Sequence, residues 1–381
     1  MIIGIDASRA LVKERTGIEE YAYQMIKHLR SVIPVTDRVV LYVRKNRTTH
    51  DGKGVTETPE IDFELPKNWS VRALWAPRLW TYGRLSCELL LHPVDVLFVP
   101  SHVVPPLHPR RTIVTIHGIE YENYPRAYTW WERFSMRFAI RRSCAWSSRI
   151  IAVSHATRED IMRVYHVRKE KVMVIHEGVA DHPNAEVSNH KPPSSIVPKK
   201  PYVLFIGRIE ERKNIARIIE AFDILKEKYG MPHMLVLAGK KGYGYSKIKN
   251  RISKIKNKDA VIETGYVSEE EKRALLHDAD VFLFPTLAEG FGLPILEAQV
   301  SGIPVVASRI PSHEEIAVSL EGENTVVFVS PHSAPEIADA VHRILTDEVL
   351  RNGIIQRGYA NCRRFTWQAS ARAIAALLTQ S

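Results

Sequence analysis

The sequence predicts two α/β domains, each a parallel sheet flanked by helices, joined by a flexible segment, and three observations predict it. Short β-branched runs alternate with amphipathic helical stretches, which implies parallel βαβ units. That alternation breaks at residues 180–201, ADHPNAEVSNHKPPSSIVPKKP, which is rich in Pro, Ser, Asn and His and has no periodicity. The length, 381 residues, suits two domains at roughly 100–200 residues each.

The elements follow in order. MIIGID, RVVLYV, VDVLFVP, TIVTIHG, RIIAVS and KVMVIHEGV read as buried strands of one parallel sheet. Between the first two lies GIEEYAYQMIKHLRSV, with Tyr21, Met25, Ile26 and Leu29 at helix spacing. After the break the pattern restarts with YVLFIG, HMLVLAG, AVIETG, DVFLFP, IPVVAS and TVVFVS, with helices such as IARIIEAFDILKEKY between them. The expected boundaries are a first domain over 1–180, a linker over 181–200 and a second domain over 201–364. Ligands of such sheets bind at the carboxyl ends of strands, so the expected site is a cleft between the domains.

Composition narrows the classes. Hydrophobic residues make up 45% and charged residues 25%, ordinary globular usage. No run of about 18 apolar residues reads as a membrane span, and MIIGIDASR lacks a basic segment before its apolar residues, so it reads as a first strand rather than a signal peptide. Cys87, Cys144 and Cys362 are too far apart for a metal set or disulfide framework, which fits a reducing, cytoplasmic setting. The formal net charge of +10 favours anionic partners: nucleic acid, anionic lipid or phosphorylated small molecules.

Two segments carry chemistry. VFLFPT reads as a strand, AEGFG as the turn after it, and PILEAQVSG as a helix starting at Pro294 and ending at Gly302. The glycines let backbone approach a ligand, and the amides of Phe291, Gly292 and Leu293 at a helix N-terminus favour negative charge. Glu289 in the loop and Glu297 a turn into the helix can reach different parts of one ligand, and carboxylates accept hydrogen bonds from vicinal hydroxyls. The bland alternative is a Gly-rich turn with solvated acids. The second segment, GRIEERKN at 207–214, follows the strand YVLFI. There Arg208 and Lys213 neutralise a diphosphate without a metal, or else form a solvated basic loop.

Together these segments resemble the retaining nucleotide-sugar glycosyltransferases of family 4, with the two-Rossmann-domain GT-B fold. The resemblance runs through ERTGIEEYAYQMIKHL, TIVTIHG, IIAVSHATREDI, VIHEGV, GRIEERKN, LVLAGKKGYG, TGYVSEEE, the glutamate segment and SGIPVVASRIPSHEE. It implies that Glu289 faces the donor sugar, that Glu297 grips the ribose, and that Arg208 and Lys213 hold the diphosphate beside Gly207. It also implies amides at Gly292 and Leu293 against phosphate or sugar, Gly17 approaching the diphosphate from the first domain, and His117 near the sugar C6 hydroxyl. Tyr266 and Val267 fall where backbone cradles the base, and a final helix over 365–381 crosses back to the first domain. The implied donor is GDP-mannose, favoured mildly, or a UDP-sugar, with no cofactor and no metal; the acceptor is a saccharide or lipid-linked saccharide. An epimerase or phosphorylase of the same fold, or an inactive sugar-nucleotide-binding partner protein, are the alternatives.

The sequence also departs from the family. Gly118 follows His117 where relatives often carry Asp, leaving that role absent or to Glu120 or Glu122. Gly17 is followed by Ile18, Glu19 and Glu20, where relatives often carry a basic residue. Asp278 and Asp280 form a D-x-D at the wrong end of a strand for a cleft ligand. In TWWERFSMRFAIRRSCAW, residues 129–146, Arg133, Arg137 and Arg141 recur every four positions beside Trp130, Trp131, Phe134 and Phe138. That run is either a peripheral contact with the anionic inner face of a membrane or a packed helix with a solvated basic face. The basic run Lys240–Lys258 lacks interleaved aromatic platforms, which disfavours nucleic acid.

Overall fold

The computed structural model describes residues 1–50, 53–76, 78–179, 198 and 201–380. The expected linker therefore lies outside the described residues, except for Pro198. The chain divides into two units: Met1–Ile119 with Trp131–Gly178 and Trp367–Ser381, and Glu120–Trp130 with Val179–Thr366.

The β-branched runs of the first unit become seven parallel strands: β1 (Ile2–Asp6), β2 (Arg38–Arg44), β3 (Trp69–Leu74), β4 (Val96–Val99), β5 (Arg111–Ile116), β6 (Arg149–Ala152) and β7 (Val172–Val174). They are ordered β3-β2-β1-β4-β5-β6-β7. Central strands such as β4, VLFV, are buried at every residue because helices cover both faces of a parallel sheet. The edge strand β3, WSVRAL, was not singled out by periodicity; its interior residues are exposed or half-buried, so no apolar run marks it. A separate antiparallel hairpin joins Asn46–His50 to Lys53–Glu57. Helix α1 (Gly17–Leu29) buries Tyr21, Met25, Ile26 and Leu29, the residues that repeat at helix spacing. Its start is closed by Glu19, which accepts from the Thr16 amide at 3.3 Å and from the Thr16 hydroxyl. Helix α2 spans Trp130–Trp146.

Among its described residues the second unit has six strands: β8 (Tyr202–Ile206), β9 (Met234–Ala238), β10 (Val261–Gly265), β11 (Val281–Phe284), β12 (Val305–Ser308) and β13 (Val327–Val329), ordered β10-β9-β8-β11-β12-β13. Strand order reverses between β8 and β11, which is where doubly wound sheets open a crevice at the carboxyl ends. Helix α3 (Ile215–Tyr229) follows β8, α4 (Glu269–Asp278) follows β10, α5 (Leu293–Val300) follows β11 and α6 (Pro311–Ala317) follows β12. The chain then returns to the first unit as α7 (Trp367–Thr379), which packs on α1: the Trp367 and Tyr21 ring centroids are 6.1 Å apart. Arg111 donates to the Leu378 carbonyl at 3.2 Å and fixes the far end of α7.

Backbone at three neighbouring strand ends of the second unit is stitched by hydrogen bonds. Gly207 N–H donates to the Ala238 carbonyl at 2.9 Å, and Gly239 N–H to that of Gly265 at 2.7 Å. A Cβ on Gly239 would lie 2.7 Å from the Gly207 carbonyl carbon and closer still to its oxygen, at a backbone φ of +143°. Gly239→Ala is therefore expected to cost on the order of 3 kcal/mol or more. The control is Gly230→Ala, where φ is +63° but the added carbon meets nothing within 4 Å; the expected cost there is about 1–2 kcal/mol. Thermal denaturation checks the order: the Gly239 variant must melt clearly below the Gly230 variant.

Candidate active site

At the switch point the β8 loop carries residues 207–214 and the β11 loop carries 285–292. Asn214, at φ +63°, ends the first loop; its side-chain amide donates to the carbonyls of Pro285 (2.8 Å) and Pro331 (2.7 Å). These bonds tie the start of α3 to the second loop, and Leu287 N–H donates to the Arg212 carbonyl at 3.0 Å. The two loops thus form one backbone-bonded unit.

Their side chains build a buried charge cluster. Glu289 Oε1 receives Lys213 Nζ and Arg212 Nη1, the latter at 3.1 Å. Arg212 also donates to the Ala288 carbonyl and to Glu210 Oε1, both at 2.9 Å. The side chains of Arg212, Lys213 and Glu289 are between 11% and 14% exposed, so these are interior ion pairs rather than surface ones. Burial alone would raise the Glu289 carboxyl, but Lys213 and Arg212 outweigh it and hold the group below the usual carboxylate range. Lys213 Nζ also stands 5.0 Å from the centroid of the Phe284 ring. Glu120 faces the same charges: burial raises its carboxyl, Arg212 opposes this and Glu289 adds to it. Two cations, Arg212 and Lys213, thus face three acidic side chains, Glu289, Glu210 and Glu120. Arg208 is exposed, and among the described residues it forms no ion pair.

Gly292 caps α5 at φ +117°, and Pro294 is in the first turn of that helix, one residue later than the sequence suggested. A side chain at Gly292 would press on Ile316 Cδ1 at 2.9 Å. Phe291 and Leu293 are buried, Phe291 edge-on to Phe365 with centroids 6.0 Å apart.

Toward β10, Tyr266 and Val267 follow the positive-φ Gly265, and Lys240 lies over the Tyr266 ring at 4.7 Å. Glu297 on α5 receives Lys272 Nζ of α4 at 2.7 Å. Asp280 is occupied elsewhere: it accepts from the Tyr202 amide at 3.2 Å, at the amino end of β8. The basic run after β9 is partly compensated, Lys247 by Glu211 (2.8 Å), Lys249 by Glu263 (2.5 Å) and Lys256 by Glu227 (2.7 Å). Arg251 also pairs with Glu220.

The first unit holds the remaining residues. His117 is 9% exposed. Its Nε2 is 2.8 Å from the Pro100 carbonyl and its Nδ1 2.9 Å from Glu177 Oε1. A carbonyl only accepts, so Nε2–H donates to Pro100, while Nδ1 faces the Glu177 carboxylate. Both nitrogens are thus committed within this unit, and Tyr21 stands edge-on to the ring at 4.5 Å. At Gly17, the first residue of α1, an added Cβ meets nothing within 4 Å. The acids after it have structural partners: Glu19 caps α1, and Glu20 pairs with Arg15 at 2.9 Å.

The geometry brings Lys213, Glu289, Gly207 and Gly292 together at the two switch-point loops, with Arg208 exposed on the first of them. It adds two residues that motif reading missed. Arg212 is the arginine that grips Glu289; only the consecutive Arg-Lys pair signalled it. His313 is fully buried on α6, with Nδ1 3.0 Å from the Ser308 carbonyl and Nε2 unpartnered.

Burial pushes the His313 imidazole down to about 4, against the pull of Glu289. Between pH 6.5 and 4 the unfolded chain takes up a proton that the folded chain refuses, so stability is full above the unfolded value and falls as pH drops. The loss reaches roughly 3 kcal/mol near pH 4. Urea unfolding at pH 7, 5.5 and 4 is expected to show that loss in the native chain and a shallower fall in His313→Gln.

Comparison with known proteins agrees with this architecture. Residues 15–182 match the family profile described as Glycosyltransferase Family 4, and residues 186–361 that of Glycosyl transferases group 1. The chain is 24% identical to the O-antigen chain mannosyltransferase B of Escherichia coli, covering 93% of each sequence. It is 25% identical to the O-antigen chain mannosyltransferase RfbU of Salmonella typhimurium, over 95% of this chain and 98% of that one. Among solved structures, Anabaena Alr3699/HepE in complex with UDP and glucose superposes with a TM-score of 0.70 at 17% identity, covering 99% of both chains. WaaG, a glycosyltransferase involved in lipopolysaccharide biosynthesis, superposes at 0.71 and 15% identity over the whole of both chains. With two adjoining profiles of one enzyme class over a GT-B fold, the chain belongs to the group 1 glycosyltransferases of family 4.

Proposed function

We propose that the chain moves a hexose, mannose by preference, from a nucleoside-diphosphate sugar to a saccharide or lipid-linked saccharide in polysaccharide assembly. The observation that carries the reading is the Glu289 carboxylate held between Arg212 and Lys213 at the switch point. Arg208 and Lys213 neutralise the donor diphosphate beside Gly207, with the Gly292 and Leu293 amides adding dipole. Glu289 meets the sugar, and Glu297 the ribose beside Tyr266 and Val267. In transfer the bond from C1 to the phosphate oxygen breaks, C1 bonds to the acceptor oxygen, and the acceptor proton leaves on the diphosphate. Fixed cations at the departing phosphate lower that barrier, and loss of one typically costs about 10²–10³ in rate. Mannose is favoured by the full-length likeness to two O-antigen mannosyltransferases.

With GDP-mannose, UDP-glucose and UDP-N-acetylglucosamine offered in turn, GDP-mannose is expected to stabilise the protein most in thermal shift. Arg208→Ala and Glu289→Gln are each expected to lower transfer by about 100-fold or more. Full activity in both variants, or release of free sugar as the main reaction without acceptor, would sink the proposal.

We also propose that α2 rests on an anionic bilayer. Trp130, Trp131, Phe134 and Phe138 are 64%, 69%, 54% and 49% exposed. Arg137, Arg141 and Arg142 are exposed beside them, while Arg133 turns its Nε into the protein. Interfacial aromatics and arginines are the chemistry of a helix lying in the headgroup layer. Co-sedimentation with phosphatidylglycerol vesicles is expected to capture the protein, to fail with neutral phosphatidylcholine, and to weaken severalfold in the Trp130→Ala, Trp131→Ala double variant.

A further inference from the structure

We infer that Lys272 is a positioning residue for ribose recognition: it holds the Glu297 carboxylate in the orientation that receives the 2′ and 3′ hydroxyls. The inference rests on the proposed role of Glu297 as the ribose ligand. Three observations carry it.

First, the lysine is built in. Its side chain is 15% exposed, and its Nζ lies 2.7 Å from Glu297 Oε1 and 2.9 Å from Glu269 Oε2. A lysine removed from water this far costs free energy unless paired and hydrogen-bonded, and here two carboxylates meet it.

Second, its place in the fold joins two parts of the nucleoside pocket. Lys272 is in the first turns of α4, whose N-terminus is closed by Ser268 and Glu271 immediately after Tyr266 and Val267. The Ser268 amide donates to Glu271 at 2.7 Å, so the loop runs into a fixed helix start. Glu297 belongs to α5, after the crevice loop. One ammonium therefore links the segment assigned to the base with the carboxylate assigned to the sugar next to it.

Third, the chemistry suits a diol. A carboxylate recognises vicinal hydroxyls only while ionised and only in one plane, since both hydroxyls must donate to it. With Oε1 fixed by Lys272, rotation about the last side-chain bond of Glu297 is arrested and its charge is retained. Glu269 serves as the second anchor and keeps the ammonium in place.

The test compares ribonucleotides with analogues that lack the diol. Affinities of GDP, UDP and their 2′,3′-dideoxy forms are measured by calorimetry for the native chain, Lys272→Met, Lys272→Arg and Glu297→Gln. Lys272→Met is expected to weaken the better ribonucleotide about tenfold and to leave its dideoxy analogue within twofold. Lys272→Arg, which keeps a cation on the carboxylate, is expected to recover most of the loss. Adding Lys272→Met to Glu297→Gln should change the ribose-to-dideoxy ratio no further. Equal weakening of both nucleotide types, accompanied by a lower melting temperature, would make Lys272 a brace between helices and overturn the inference. A Glu297→Gln variant that still discriminates ribose, or failure of both diphosphates to bind the native chain, would instead overturn the assignment of Glu297 on which it rests.

Discussion

The second unit is organised around one constraint: the Glu289 carboxylate must stay ionised inside the protein. A buried carboxylate without a partner would take up a proton, and a buried lysine without one would shed its own. Arg212 and Lys213 remove the first outcome by holding Glu289 ionised, while burial still pulls the Lys213 ammonium below its ordinary range against the opposing pull of Glu289. Because Arg212 also holds the Ala288 carbonyl and Glu210, the electrostatic demand becomes a geometric one. The β8 and β11 loops cannot separate without stranding a charge. The Asn214 amide and the Leu287–Arg212 backbone bond then lock the same pair of loops through neutral groups.

The glycines are the complement of that cluster. At the ends of β8, β9 and β10 the chain turns through Gly207, Gly239 and Gly265, all at positive φ. Side chains are thereby absent from these strand ends, and the Gly207 and Gly239 amides bond the neighbouring carbonyls of Ala238 and Gly265. Around these strand ends, Arg208, Lys240 and Tyr266 stand on loops and Glu297 on α5.

Much of this was legible in the sequence, for a physical reason in each case. Parallel strands covered on both faces are mostly apolar, so the runs that became β1, β2, β4 and β5 stand out, whereas β3, at the edge with its interior residues exposed or half-buried, does not. Gly292 and Pro294 were visible because a tight turn into a helix admits few residue types. Arg212 was not, because the residue that reaches Glu289 is decided by the short turn at 211–213 and not by spacing. The commitments of His117 were equally hidden. They depend on the Pro100 carbonyl and on Glu177, 17 and 60 positions away, which only the folded sheet brings together.

The return of the chain at α7 bears on the order in which the protein can fold. Tyr21, which follows only the first strand, packs against Trp367, which follows every strand of the second unit. The whole of β8–β13 lies between them in the sequence. As the polypeptide leaves the ribosome, the second unit has every strand it needs before the first has its last helix. The amino-terminal sheet must therefore wait, with the apolar flank of α1 uncovered, while its successor matures. Vectorial synthesis thus makes the earlier unit the later one to be completed.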